Sequence, residues 1–236
     1  MEPELLEKAA GFVDKYRGAL DGRVIPMFFP SQVDTCSAEL LKATRKTADE
    51  LKAGISIHAG QYMFEFQNML RRYGRTPVEF LNDTGLLGPD VILGHLWAIA
   101  GHPMVAYPPE DGGDLKILAD TGTTVSHDPI VFVWRGNKMH SHTKYRKAGV
   151  NVSIGTDFAP QDMLNQMRVA SYVTKLADWD CYSGSSREIF NSATLAGAKA
   201  IGKSDLGRIA PGALADLAIV NMESLNTVPV RDPIKN

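Results

Sequence analysis

Cysteine is scarce in this sequence. Cys36 and Cys181 are the only two among 236 residues, too few for a disulfide framework or a zinc-binding thiolate cluster. Long hydrophobic runs are missing as well. No stretch approaches the roughly 18 apolar residues that a membrane-spanning helix needs, so no transmembrane helix is expected. Excess charge of either sign is absent: 25 Lys and Arg stand against 27 Asp and Glu, for a net charge of −2. With no basic run either, nothing supplies an electrostatic footprint for nucleic acid. The opening residues Met1-Glu2-Pro3-Glu4 are acidic and lack the basic-then-apolar layout of a signal peptide. A cytoplasmic protein is expected, with neither nucleic acid nor membrane as partner. Internal repeats and low-complexity segments are also lacking.

What is present is an ordinary globular composition, 44% hydrophobic and 22% charged, enough for a real core. Short β-branched runs alternate with longer amphipathic stretches. The pattern predicts strands near Val24–Phe29, Ile55–His58, Val91–Leu93, Thr123–Ser126 and Val150–Ile154. Helices are predicted near Ala38–Ala53, Tyr62–Asn82, Asp114–Asp120, Met139–Ala148, Gln161–Lys175 and Ser186–Ile201. Ser37 and Asp49 flank one of them, and Gly54, Gly122 and Gly149 sit where helices should stop. Strand–helix–strand alternation with near-continuous apolar strands implies an α/β fold, a parallel sheet covered by helices. The loop Gly101–Gly113, with Pro103, Pro108 and Pro109, is a plausible cover for an active site. After Ile201 the texture changes. A short β segment from Leu206, a turn at Pro211-Gly212 and a strand at Leu217–Val220 are predicted there as a separate small β element.

The chemistry gathers at strand ends. Ile55-Ser-Ile ends in His58, Val91-Ile-Leu-Gly in His95, Thr123-Thr-Val-Ser in His127, and Val150-Asn-Val-Ser-Ile-Gly-Thr in Asp157. Three of only six histidines thus fall at one structural position. In a parallel α/β barrel the C-terminal strand ends ring one mouth, where active sites are built. Imidazole and carboxylate converging there suit a borderline divalent cation such as zinc, which activates a bound water. The alternative is that each histidine is a half-buried strand-end residue bonded to backbone. His102, His140 and His142 read as surface or loop residues. Trp97, Phe132 and Trp134 follow strand ends, where they either wall a pocket for a planar substrate or simply pack. Glu65 with Arg71 and Arg72 reads as a solvated helix face, and Cys36 has no motif that would make it a nucleophile.

His58 ending a strand, then Gly94-His95, His127-Asp128-Pro129 and Gly155-Thr156-Asp157, resemble the metal-dependent amidohydrolase superfamily. The branch that looks nearest is the triazine hydrolase and S-adenosylhomocysteine deaminase group. Ala193-Thr-Leu-Ala-Gly-Ala-Lys-Ala-Ile-Gly202 resembles that family's usual helix. Gly207-Arg-Ile-Ala-Pro-Gly-Ala-Leu-Ala-Asp-Leu-Ala-Ile-Val220 resembles the entry to its composite β-sandwich. The resemblance implies a partial TIM (β/α)8 barrel, about strands four to eight, over residues 1–204. The start of a small composite β-sandwich would follow over residues 205–236. It implies one divalent metal, zinc or else iron, held by His58 and Asp157. It makes Asp157 the base for the attacking water, and His95 a substrate contact that polarises the attacked centre. It implies a pocket shared by His95, Gln61, Trp97 and His127, with His127 in a supporting role rather than ligating. The substrate class implied is a small nitrogen-containing molecule, hydrolysed at a non-peptide C–N bond as by a deaminase, or at a C–halogen bond.

Two departures stand out. The family's His-x-x-Glu reads His58-Ala-Gly-Gln61 here, and a glutamine can orient a water or substrate but cannot shuttle a proton. Glu65 is a poor geometric substitute. The family's His-x-His strand, which supplies two metal ligands, has no counterpart: His140-Ser-His142 lies in a helical context. About three barrel strands are missing too, so the chain looks like an internal portion of a longer enzyme. Five βα units would leave two open sheet edges and a weakened metal set. Self-association, or a chain supplying the missing half, is expected. The competing readings are a catalytically silent half-barrel remnant and an open, doubly wound α/β protein that binds a small molecule without metal.

Overall fold

β-branched and aliphatic side chains favour the pleated conformation, and the five expected strand segments do form a sheet. A computed structural model describes residues 2–105, 113–158, 161–223 and 227. The strands are β1 (Met27–Phe28), β2 (Gly54–Ala59), β3 (Val91–His95), β4 (Thr124–His127) and β5 (Asn151–Ile154). All pair in parallel, in the order β1-β2-β3-β4-β5. That order never reverses. A doubly wound sheet reverses at a switch point, so the doubly wound reading is overturned. Right-handed crossovers that always step the same way put every helix on one face, as in a segment of a (β/α)8 barrel.

The helices, in chain order, are α1 (Glu2–Tyr16), the single irregular turn α2 (Ala19–Gly22), α3 (Ala38–Leu51), α4 (Met63–Tyr73), α5 (Pro77–Asp83) and α6 (Asp114–Thr121). They continue with α7 (Pro129–Val133), α8 (His142–Lys147), α9 (Met163–Asp178), α10 (Ser186–Ala193) and α11 (Leu195–Ala200). Two of the expected long helices are broken. Tyr62–Asn82 splits into α4 and α5 because Gly74 takes a left-handed cap at φ 62°. Pro77 then restarts the helix behind Thr76, which it holds extended at ψ 162°. Ser186–Ile201 splits at Thr194, whose φ −125° and ψ −83° are not helical. The stretch from Met139 becomes helical only at His142, where Ser141 caps α8. α3 ends on Lys52 in the left-handed region rather than running to Gly54. The predicted tail strands do not form: residues 206–220 contain no strand, and Leu217 and Ile219 are 64% and 98% exposed. A strand needs a ladder partner for its N–H and C=O groups, and none of the described residues supplies one. The expected cover loop lies mostly outside the described residues, which stop at Val105 and resume at Gly113.

Burial follows the strand period of two. Ile55, Ile57, Val91, Leu93 and Val125 are fully buried under the helices and join one core cluster. Their alternates Ser56, His58, Gly94 and Ser126 are only partly covered and face the concave side. One polar clasp locks the helical layer near the mouth. Thr76 caps α5 through a capping box, and its hydroxyl also donates to buried Asp114 Oδ1 at 2.7 Å. Asp114 Oδ2 accepts from Ala100 N at 2.9 Å. Thr76→Ala removes the cap and leaves a buried carboxylate short of a donor. The expected loss is roughly 2 kcal/mol, read from urea unfolding at pH 7. A loss under half of that would mean the clasp contributes little.

Candidate functional site

Pairing register sets the mouth of the half-barrel. His58 of β2 lies opposite Gly94 of β3, and Gly94 opposite Ser126 of β4. A side chain at residue 94 would reach within 3.0 Å of the His58 ring, so glycine there leaves the imidazole its seat. Phe29, just past β1 and 54% exposed, meets His58 edge-on at 5.0 Å. Next in the chain, His95 and Leu96 both take positive φ, 77° and 40°. This conformation is uncommon for non-glycine residues and costs energy unless the surroundings enforce it. Leu96 N donates to Ala59 O at 3.0 Å, and Tyr145 donates to Leu96 O at 2.8 Å, which fixes the turn. The His95 ring stacks on His58 with centroids 4.9 Å apart and planes 21° apart. Asp157 also has a positive φ, 53°, and is exposed at the end of the β5 turn.

Electrostatics keep His58 in the form a metal would need. Burial pushes its pKa below the usual histidine value, and His95 pushes the same way against the pull of Asp157 and Asp128. A neutral imidazole is a metal ligand. The donor types His58 and Asp157 suit zinc, but zinc sites draw on three or four protein ligands. Among the described residues no group of three His, Cys, Asp or Glu is arranged to hold a metal. The chain therefore presents a partial ligand set of the right chemistry.

Other expected site residues are placed differently. His127 shares with Val125 the helix-packed side of β4, is 2% exposed, and has no hydrogen-bond partner at either ring nitrogen among the described residues. Its nearest ring is His142, at 6.3 Å. The register that turns Ser126 toward the mouth turns His127 away, so it does not line the pocket. Trp97 is 1% exposed and packs beneath the rim, donating Nε1–H to Gln61 O at 2.6 Å. It braces Gln61 instead of walling a pocket. Gln61 stands half-buried at the rim, with Nε2 donated to Tyr62 Oη at 3.1 Å.

Three surface readings fail. Glu65 is buried, and its two oxygens accept from Gly60 N at 2.6 Å and Gln61 N at 2.9 Å. His102 is buried, bonded to Lys138 O and to Met104 N. His142 is buried between Glu188 and Ser192. Loop N–H groups need acceptors, and Glu65 and His102 supply them, while His142 is held by two side chains of α10. Sequence reasoning also missed Gln166, which is fully buried. It accepts from Ile130 N and donates to Thr156 O, tying the Asp157 turn to α7. Nothing in its helical spacing sets it apart from a solvated position.

The model of the amidohydrolase family matches residues 2–235. The 5-methylthioadenosine/S-adenosylhomocysteine deaminase of Thermococcus kodakarensis is 36% identical over 219 residues, covering 91% of this chain and 49% of the relative. The zinc-bound adenosine deaminase of Xanthomonas campestris superposes with TM-score 0.86 at 25% identity, over 98% of this chain and 51% of that one. A variant of the atrazine chlorohydrolase TrzN from Arthrobacter aurescens TC1, complexed with zinc and atraton, superposes with TM-score 0.84 at 24% identity. It covers 100% of this chain and 51% of that one, and shows the shared fold. The chain spans about half the length of the curated relatives it matches. No helix among the described residues is long and apolar enough to cross a membrane.

Proposed function

The chain belongs to the amidohydrolase family, and from that premise we propose that its strand-end rim is half of a hydrolytic site. The reaction is water attack at a non-peptide C–N bond of a small, planar, nitrogen-rich substrate of the adenosine type. The relatives named for such substrates support this class. The observation that carries the reading is the stacked His58–His95 pair at adjacent strand ends, with the Asp157 carboxylate acting on His58. His58 and Asp157 would hold one divalent ion, zinc before iron. When bound, the ion lowers the pKa of a water molecule and supplies hydroxide. Asp157, exposed at the rim, is the carboxylate available to take a proton from the attacking water. His95 contacts the substrate. Gln61, braced by Trp97 and Glu65, orients substrate by hydrogen bonds alone.

Competence requires more barrel. β1 and β5 each have one partner strand among the described residues. Apolar side chains beside these edges lie open: Ile25 at 40%, Phe29 at 54% and Phe158 at 60% exposed. Open parallel edges recruit strands. We propose that further strands, from a longer polypeptide or a second chain, close the barrel and complete the ligand set. Residues 1–204 form the barrel portion in this proposal, and residues 205–236 lead into a small β domain.

Zinc titration by calorimetry tests this. The chain is expected to take up about one zinc, weakly, and to lose it in both His58→Ala and Asp157→Ala. No uptake, or uptake indifferent to both variants, overturns the site and leaves a catalytically silent half-barrel.

A further inference from the structure

We propose that Asp128 is the positioning residue for His95, fixing which ring nitrogen faces the reaction; the role rests on the hydrolytic reading above. Asp128 Oδ2 lies 2.9 Å from His95 Nδ1, and the two side chains are 7% and 3% exposed. The carboxylate is close to Nδ1 without being aligned for a hydrogen bond: neither His95 ring nitrogen has a hydrogen-bond partner among the described residues. Asp128 is itself tightly seated. Ser126 donates its hydroxyl toward Oδ1 at 3.4 Å. A side-chain carbon on Gly155 would stand only 2.1 Å from the same oxygen and 2.7 Å from Ser126 Oγ. The carboxylate therefore occupies the space a larger residue at 155 would fill. The ends of β3, β4 and β5 meet at this one contact.

An ionised carboxylate only accepts hydrogen bonds. Facing Nδ1, it selects the tautomer with the proton on Nδ1, as outer carboxylates do for functional imidazoles. Nε2 then carries a lone pair. That nitrogen is buried and unmatched, a costly state unless something arrives to use it. Its ring stacks on His58, so the lone pair belongs to the mouth. There it accepts from a substrate amino group or from the attacking water. The assignment also fits Gln61, whose amide nitrogen donates to Tyr62 and whose neutral carboxamide is no base. On this side of the mouth, His95 is the acceptor and Asp128 makes it one.

The test reads tautomers in the unliganded chain. Long-range proton–nitrogen correlation spectra at pH 7.5 resolve the six imidazoles. His95 is expected as the Nδ1–H tautomer. In Asp128→Asn it is expected to shift to a mixture with substantial Nε2–H form. Gly155→Ala, which displaces the carboxylate, is expected to reproduce that shift. A wild-type His95 found as Nε2–H or as the doubly protonated imidazolium overturns the proposal, even if neither variant folds. A wild-type Nδ1–H tautomer that survives in a folded variant also overturns it, because Asp128 would then hold the turn at Gly155 without directing His95. Turnover plays no part in this measurement, so failure of the hydrolytic reading and failure of the Asp128 assignment are separable.

Discussion

Acidification from pH 6.5 to pH 3 is expected to cost the native fold roughly 4–5 kcal/mol through His127 alone. Burial first, then the neighbouring His142 and His95, holds its pKa down at about 3, against 6.5 in a solvated histidine. Both ring nitrogens lack partners among the described residues, so none of these groups stabilises the charge. The sign follows from proton binding. Below 6.5 the unfolded chain binds a proton that the native chain refuses until about 3, so protons pull toward unfolding. The stability is present in full above 6.5 and is lost as pH falls through that window. His127→Leu keeps an apolar side chain of similar bulk in the site and removes the titration. Urea unfolding at pH 7 and pH 4 should show the variant losing roughly 3 kcal/mol less than the parent. A variant with the parent's pH slope would refute the assignment. The curve does not flatten entirely, because His102 is also held low, at about 4, chiefly by burial.

His127 also shows what was legible in the chain and what was not. Its place at a strand end could be read from Thr123-Thr-Val-Ser-His127, as could the places of His58 and His95. The side of the sheet it faces could not. That is decided by alternation counted from a register that only the pairing of β3 with β4 fixes. Ser126 faces inward, so His127 faces the helices. His95 has the same parity as Leu93 by count, yet its positive φ at the end of β3 accompanies a ring stacked at the mouth. No pattern of apolar residues announces such a turn. The parallel α/β layering was legible because each βα unit repeats one hydrophobic rhythm, but that rhythm suits a doubly wound sheet as well, and the barrel order was implied only by the family resemblance. The breaks at Gly74-Arg75-Thr76-Pro77 and at Thr194 were harder to see. In both places the apolar spacing runs on while the backbone does not. Residues 206–220 carry a strand-like pattern that stays unpaired, since sheet formation depends on a partner that local sequence does not encode.

Glu65 is expected to act in the opposite direction. Burial pushes its carboxyl up to about 7, against the pull of hydrogen bonds from Gln61 and Gly60 and with a small push from Asp34. A solvated glutamate ionises near 4.5. Between these values the native chain holds a proton that the unfolded chain has released. The group's contribution is therefore full below 4.5 and is lost as pH rises through 7, a change of roughly 3 kcal/mol. Across pH 4.5–6.5 this slope opposes those of His127 and His102, and it offsets about one of the two. Glu65→Gln should remove this opposing slope. A carboxamide oxygen can accept one of the two loop N–H groups while the other goes unpaired, a cost of about 1–3 kcal/mol. The variant should be the less stable protein at pH 5 and gain on the parent by pH 8, so the two curves converge or cross. Curves that stay parallel would place the ionisation elsewhere. The same carboxyl holds the loop that carries Gln61, and its charged form accepts from Gly60 and Gln61 most strongly. Amide exchange at these two residues, corrected for intrinsic pH dependence, should therefore become more protected as pH rises through 7, while the contribution of Glu65 to global stability is lost. The rim would then be best ordered where the Glu65 contribution to global stability is gone, as expected of a buried charge kept to position a site residue.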